Sequence, residues 1–400
     1  MSSMNIDSPI ITSLLDTDFY KPLMGAVVFH NFPSAQVGYE FFNRGKTHFP
    51  SGFAEQLRKQ IKYLATLKYT DDEIDYLKSL NKFKPNYIEF LRHFQFDPNE
   101  VNVTQLETGE LKIFIKGLWY RTIFWEVPLM AIISELYFRM TETDMSKNWA
   151  DRIIDKSIEL QAAGCKWSDF GTRRRRSFEV QNRVVATMKY YTGFIGTSNI
   201  HLAKKFGVTP IGTVAHETVM AMAVFVGYEN ANNAWLNYWA DYYDGELGIA
   251  LPDTFTTEVF LRNFNGRLTR QWDGLRQDSG DPEKWMDTKV IPHYTKHHVP
   301  TRDKKIVFSD NLNVEKAIKL HLKYGGLFNV IFGVGTNFTN DTFSDEQTAS
   351  GIKPLNMVIK LVSANFGHGW RPTVKLSDDA GKNLGGTLLI DSVKKQLNIV

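Results

Sequence analysis

Residues 207–220 read G-V-T-P-I-G-T-V-A-H-E-T-V-M. A short apolar run ends in Gly212 and Thr213, and His216 and Glu217 follow where a helical pattern begins. A strand passing into a helix through a polar turn is the unit from which parallel α/β folds are built. A single imidazole at such a junction is most often a packed, hydrogen-bonded histidine. The neighbouring segments decide whether His216 is more than that.

The same texture recurs along the chain after about residue 150. Eight apolar runs end in polar or glycine-containing turns: 167–171 (WSDFG), 194–199 (FIGTSN), 209–217 (TPIGTVAHE), 247–253 (LGIALPD), 273–281 (DGLRQDSGD), 305–311 (KIVFSDN), 330–337 (VIFGVGTN) and 357–363 (MVIKLVS). Helix-like patterns separate them. Strands alternating with helices predict parallel βα units, and eight such units predict a (β/α)₈-type barrel. An open doubly wound sheet is the alternative. No G-x-G-x-x-G stands between a strand and a helix, which argues against a dinucleotide site.

Up to about residue 140 the pattern is mixed. AEQLRKQIKYLATL, DDEIDYLKSL and YIEFLRHF predict surface helices. QVGYEFFNR, VNVTQLETGELKIFIKG and RTIFWEVP predict strands, and Pro128 predicts the start of a helix through VPLMAIISELYFRM. This part reads as an α+β unit.

Bulk properties narrow the function classes. With 400 residues, 43% of them hydrophobic, the chain can bury the core of a large domain and a smaller one. A net charge of +3 implies neither nucleic acid nor a membrane as partner. One cysteine, Cys165, excludes an intrachain disulfide and reads as a buried small hydrophobe. No window approaches a membrane span, and the acidic N-terminus lacks a signal-peptide pattern. These features predict a soluble protein of a reducing compartment, the cytoplasm.

The polar clusters share one position, just after the apolar runs. In a barrel those strand ends form one face, where active sites lie. DFGTRRRR holds Arg173 to Arg176, and such a run near a helix N-terminus suits a small anion better than nucleic acid. FGVGTN holds Gly333, Gly335 and Thr336, small residues that let backbone amides approach a phosphate. GLRQDSGDP combines Arg276 with Asp278 and Asp281; the plain reading is a polar turn with a helix cap at Ser279 or Asp281, the functional one an arginine for phosphate and a carboxylate for ribose hydroxyls or Mg²⁺, and the spacing alone does not choose. In LLDTDFYKPLM, Tyr20 stands at a helix start that Asp16 or Asp18 can cap, and its ring offers a stacking face.

Taken in order, D-T-D-F-Y-K, E-F-F-N-R-G, D-F-G-T-R-R-R, G-T-S-N, G-T-V-A-H-E, G-L-R-Q-D-S-G-D-P, V-F-S-D-N-L, F-G-V-G-T and P-L-N-M-V-I-K-L resemble the nicotinate phosphoribosyltransferases of the bacterial type, over about residues 14–378. The resemblance implies an irregular (β/α) barrel of the type II phosphoribosyltransferase kind with an α+β N-terminal domain. The expected division is an α+β domain over 1–140, completed by 366–400, and a barrel catalytic domain over 141–365.

The family joins nicotinate to C1 of phosphoribosyl pyrophosphate, a pentosyl transfer that opens NAD salvage from nicotinate. Ligase-like coupling to ATP runs through a transient phosphohistidine, here His216, with Mg²⁺ on the phosphates and no protein metal site of its own. By the same resemblance, Arg173 and Arg276 contact the substrates and Asp278 lies near ribose or metal. Tyr20 and Phe170 sandwich the pyridine ring. Ser309, Asp310 and Asn311, with Gly333, Gly335 and Thr336, form the 5′-phosphate and ribose site. Thr197 and Ser198 stand in the second strand motif; Ser198 replaces an aspartate of nicotinamide-specific relatives, so its hydroxyl and nearby N–H groups are expected to suit a carboxylate. A homodimer is compatible with the resemblance, since some members complete a site across such an interface. The competing readings are a nicotinamide- or quinolinate-using relative and a non-catalytic nucleotide-binding protein on the same fold.

Overall fold

Two sheets organise the chain. The computed structural model describes residues 6–399, so the first five residues of the expected 1–140 domain, with the N-terminal part of the leader reading, and Val400 lie outside the described residues. The described residues contain β1 Gln36–Asn43, β2 Val101–Gln105, β3 Leu111–Leu118, β4 Trp167–Asp169, β5 Phe194–Thr197, β6 Ile249–Ala250, β7 Gly274–Gln277, β8 Lys305–Phe308, β9 Asn329–Val334, β10 Met357–Asn365 and β11 Arg371–Pro372. One sheet is antiparallel with order β11-β10-β1-β3-β2. The other is parallel throughout with order β5-β4-β9-β8-β7-β6. Four helices matter for the site: α1 Tyr20–Asn31, α2 Glu126–Met140, α3 Phe178–Met188 and α4 His216–Val226.

Six of the eight expected strand runs lie in the parallel sheet as β4 to β9. The third, at 209–217, makes a single bridge, Thr197 to Pro210, flanked by Ile211 N–H to Thr197 O at 2.8 Å and Thr197 N–H to Thr209 O at 3.2 Å. Pro210 has no N–H to extend a ladder. Gly196 permits this approach: its φ is 143°, and a Cβ there would lie 2.0 Å from Thr209 O. The eighth run is β10, and it pairs antiparallel with β1 from Met357 opposite Asn43 to Asn365 opposite Gln36. Its alternation identifies a strand but not its partner. The structure is therefore an α/β fold with a six-stranded parallel sheet, and no ladder joins β5 to β6 among the described residues.

The N-terminal half follows its patterns with one exception. The expected strand RTIFWEVP is helical, lying in the turn Trp119–Thr122 and the start of α2. Trp119, Ile123, Phe124 and Trp125 are buried, and a segment buried all round shows no period that separates strand from helix. Cys165 is buried, and burial pushes its thiol up to about 11, as suits an inert core residue. No helix of the described residues is long and apolar enough to cross a membrane.

The segment before α1 docks on the end of β5. Ile200 N–H bonds Thr17 O at 3.0 Å, and Phe19 N–H bonds Ser198 O at 2.7 Å. Asp16 locks the joint: both its oxygens accept from the Arg175 guanidinium at 2.7 Å, and Asn199 donates to it at 2.7 Å. Asp16 and Asp18 are thus not caps of α1, which has no side-chain cap. Because breaking a fully buried, doubly bonded pair strands a charge, Arg175→Met is expected to lower stability by about 3–5 kcal/mol. Denaturant unfolding at neutral pH checks this; a loss below about 1 kcal/mol would refute the clamp.

Candidate active site

The parallel strands all end on one side, and a cleft of about 1090 Å³ of empty space, its open mouth included, lies there. It is lined by twelve of the residues expected from sequence: Tyr20, Phe170, Arg173, Ser198, His216, Arg276, Asp278, Ser309, Asn311, Gly333, Gly335 and Thr336. The shared face follows from parallel topology, which sends every strand end the same way.

His216 is the first residue of α4, carried there by the irregular 209–215 segment. The ring is held on both sides. Nδ1 lies 3.0 Å from Thr254 Oγ1, and Nε2 lies 3.2 Å from Asp278 Oδ2 and 3.8 Å from Asp253 Oδ1. A carboxylate only accepts, so Nε2 carries the proton and Nδ1 accepts from the threonine hydroxyl. Burial, reinforced by the charge of Lys375, pushes the imidazole down to about 4. At neutral pH the ring is uncharged. Burial would raise Asp278, but Arg276 and His216 outweigh it and hold the carboxyl well below its ordinary range. Arg276 donates to Thr213 Oγ1 at 2.8 Å and to Val214 O at 3.1 Å, which pins the turn before His216. Ser309 donates to Asp278 Oδ1 at 2.8 Å.

The four arginines precede a helix instead of opening one. Thr172–Arg174 form a 3₁₀ turn, Ser177 caps α3, and the extended step at Arg175 splays the side chains. Arg173 and Arg174 line the cleft. Arg175 is the buried clamp on Asp16, and Arg176 packs 4.1 Å over the Phe138 ring. Their bonding separates their roles. Arg175 is fully buried with two 2.7 Å bonds, whereas Arg173 is 38% exposed with contacts of 3.4 Å to Glu126 and 3.7 Å to Asp18. Arg173 has donors to spare for an anion. Its guanidinium lies 5.8 Å from the Tyr20 ring centre.

Other expectations are revised by the geometry. Thr197 is buried behind the cleft and donates to Asp169 at 2.7 Å. Asp310 does not line the cleft and pairs with Lys382 at 2.7 Å. The Ser198 hydroxyl donates to Asp18 at 2.6 Å and its own N–H to Asp169 O at 2.8 Å, so neither donor of Ser198 is spare for a carboxylate. Asp281 caps the helix that follows it, while Ser279 donates to Asp253. Sequence reasoning passed over Asp18, Thr213, Glu126, Glu217 and Lys360, all lining the cleft, and Asp253 and Thr254, which hold His216. Asp18, Glu217 and Lys360 stood inside motifs already singled out; Glu126 stood in a segment read as a strand.

An unfolded-chain imidazole titrates near 6.5. With the folded value at about 4, the unfolded chain binds more protons between these limits. Stability from His216 is thus complete above about 6.5 and is lost as pH falls through about 4. His293, also near 4, adds to the same window. His216→Gln is expected to show a shallower fall in stability between pH 7 and pH 4, read by denaturant unfolding; an unchanged slope would contradict a neutral buried His216.

Comparison with known proteins places the chain in a family. The model of the nicotinate phosphoribosyltransferase (NAPRTase) family matches residues 165–399, and that of the NAPRTase N-terminal domain matches residues 15–134. The nicotinate phosphoribosyltransferase of Chromohalobacter salexigens is 42% identical, covering 97% of this chain and 98% of its own. That of Desulforapulum autotrophicum is 43% identical, covering 94% and 96%. The crystal structure of nicotinate phosphoribosyltransferase from Porphyromonas gingivalis superposes with a TM-score of 0.93 at 38% identity, covering 98% of this chain and all of that one. Two family models that together span most of the sequence, and relatives matched along nearly their whole length, establish that the chain belongs to the nicotinate phosphoribosyltransferase family.

Proposed function

We propose that this protein transfers the phosphoribosyl group of phosphoribosyl pyrophosphate to nicotinate, giving nicotinate mononucleotide and pyrophosphate, and couples the transfer to ATP through phosphorylation of His216. The observation that carries the proposal is the presence in one cleft of an arginine with spare donors, Arg173, and a neutral, doubly held imidazole, His216.

The nicotinate ring is assigned to the space beside Tyr20 and Phe170, with its carboxylate on Arg173. The 5′-phosphate is assigned to Gly333, Gly335 and Thr336, with Ser309 and Asn311 beside the ribose and Asp310 held behind them by Lys382. In the transfer, the bond from C1 to pyrophosphate oxygen breaks and the bond from C1 to the pyridine nitrogen forms. Positive charge develops on the ribose ring, and Arg276 stabilises the departing pyrophosphate. In the ATP step, His216 Nε2 bonds the γ-phosphorus as the bond to the ADP oxygen breaks, and the Nε2 proton passes to Asp278, its hydrogen-bond partner. Burial keeps the ring uncharged for this attack. The phosphohistidine then adds negative charge at the pyrophosphate end of the cleft.

For Mg²⁺, the fit is to carboxylates beside phosphate oxygens. No group of three or more ligating side chains is present among the described residues, so the ion would be held chiefly by substrate phosphates. Asp278 and Asp253 are the carboxylates at hand, and one buried oxygen of Asp253 has no hydrogen-bond partner. Bound there, the ion supplies charge neutralisation for the phosphates. The same reading treats the six parallel strands and the 209–211 segment as an irregular barrel. It moves the return to the N-terminal unit from 366 to about 357, because β10 pairs with β1. It places the enzyme in NAD salvage in the cytoplasm, with a homodimer as its assembly.

Assays with nicotinate, phosphoribosyl pyrophosphate and Mg²⁺, with and without ATP, test the proposal. Wild type is expected to form the mononucleotide faster with ATP, and His216→Ala to retain only the ATP-independent rate. Product from nicotinamide or quinolinate, and none from nicotinate, would overturn it. Because Ser198 already donates to Asp18, Ser198→Asp sets two carboxylates together near Arg173. A fall of about tenfold or more in kcat/KM for nicotinate is expected; unchanged turnover would remove position 198 from the specificity argument.

A further inference from the structure

We infer that Lys21 is a positioning residue for the pyridine end of the cleft: by holding Glu126 and Glu217, it keeps Arg173 free to take the substrate carboxylate. The inference rests on the proposed function and adds a role for a residue that does not itself line the cleft.

Lys21 is fully buried, with Nζ 2.7 Å from Glu126 Oε2 and 2.5 Å from Glu217 Oε2. Its ammonium also lies 5.4 and 5.9 Å from the ring centres of Tyr20 and Tyr39. All three charged residues sit in the first turns of their helices, α1, α2 and α4. A cation in a first turn opposes the helix dipole, and burying an ion triad is seldom the best route to stability. A chain selected for stability alone would do as well with apolar side chains there. The charge is explained by what the two carboxylates touch next.

Glu126 is shared. Its Oε2 also accepts from the Tyr20 hydroxyl at 3.3 Å, and its Oε1 faces Arg173 Nη1 at 3.4 Å. Glu217, next to His216, accepts from Tyr39 at 3.1 Å and from the Trp119 indole at 3.4 Å. With Lys21 in place, the charge of Glu126 is largely spent on the ammonium, and Arg173 stays at long range. Without it, the cations left to Glu126 are Arg173, already 3.4 Å away, and Lys360 farther off. The guanidinium would then close onto Glu126 as Arg175 closes onto Asp16, leaving no fork for the substrate. The same shift would pull on the Tyr20 hydroxyl and its ring.

The test compares wild type, Lys21→Met, Lys21→Arg and the double variant Lys21→Met/Glu126→Gln, each first shown to melt cooperatively. KM for nicotinate is measured at saturating phosphoribosyl pyrophosphate, and Kd for nicotinate mononucleotide by calorimetry without ATP. Lys21→Met is expected to raise the nicotinate KM and the mononucleotide Kd about tenfold, with KM for phosphoribosyl pyrophosphate within about twofold of wild type. Lys21→Arg should recover part of the loss. The double variant should return to within about threefold of wild type, because a neutral amide no longer captures Arg173. A folded Lys21→Met with unchanged nicotinate KM, or a double variant as weak as the single one, overturns the inference. Should Lys21→Met not fold, the double variant is read directly against wild type, with the same limits. A wild type that neither binds the mononucleotide nor uses nicotinate would refute the proposed function itself, a result distinct from either.

Discussion

One buried ammonium group organises the catalytic end of this molecule. Lys21 stands where α1, α2 and α4 begin, and its two carboxylate partners each reach one further group: Glu126 toward Arg173 and Tyr20, Glu217 toward Tyr39 and Trp119. Three helix starts meeting at one place carry partial positive charge that would repel without intervening carboxylates. The two carboxylates offset that repulsion. It also links the two sheets, since Tyr39 belongs to the antiparallel sheet and His216 follows the segment beside β5.

The arginine run illustrates how saturation, more than residue type, assigns a role. Four identical side chains in succession have three kinds of environment: one arginine is sealed in with a carboxylate at 2.7 Å and an amide oxygen at 3.2 Å, one packs on an aromatic ring, and two face the cleft. A guanidinium with well-placed acceptors has nothing left to offer a ligand. One held at 3.4 Å and beyond does.

Much of this was legible from residues alone. The strand ends with polar turns gave six of the parallel strands in place, and twelve expected site residues line one cleft. What the pattern could not supply was partnership. The run at 357–363 alternates as a strand should, yet alternation does not say which sheet receives it. Thr197 and Ser198 stood at a strand end as expected, but whether a hydroxyl is spare depends on what lies opposite, and Asp169 and Asp18 lie opposite. Asp16 and Asp18 looked like helix caps because local spacing allows it, while their actual partners are more than a hundred and fifty residues away. Lys21, within a quoted motif, drew no notice because a lysine beside a tyrosine reads as surface until its burial is known.

The place of β10 has a consequence for how the chain reaches its folded state. β10 occupies the position between β1 and β11, so until residues 357–365 have left the ribosome one side of β1 has no neighbour. That side is an open strand edge, and it belongs to the sheet that begins with residue 36. Residues 359–361 also line the cleft, together with Asp18 and Tyr20. The first and the last parts of the polypeptide therefore meet late. Such long sequence separation slows folding and prolongs the life of an unpaired edge. During synthesis the vulnerable species is a chain with its N-terminal unit nearly formed and β1 uncovered, the condition under which edge-to-edge association between nascent chains competes with completion of the molecule.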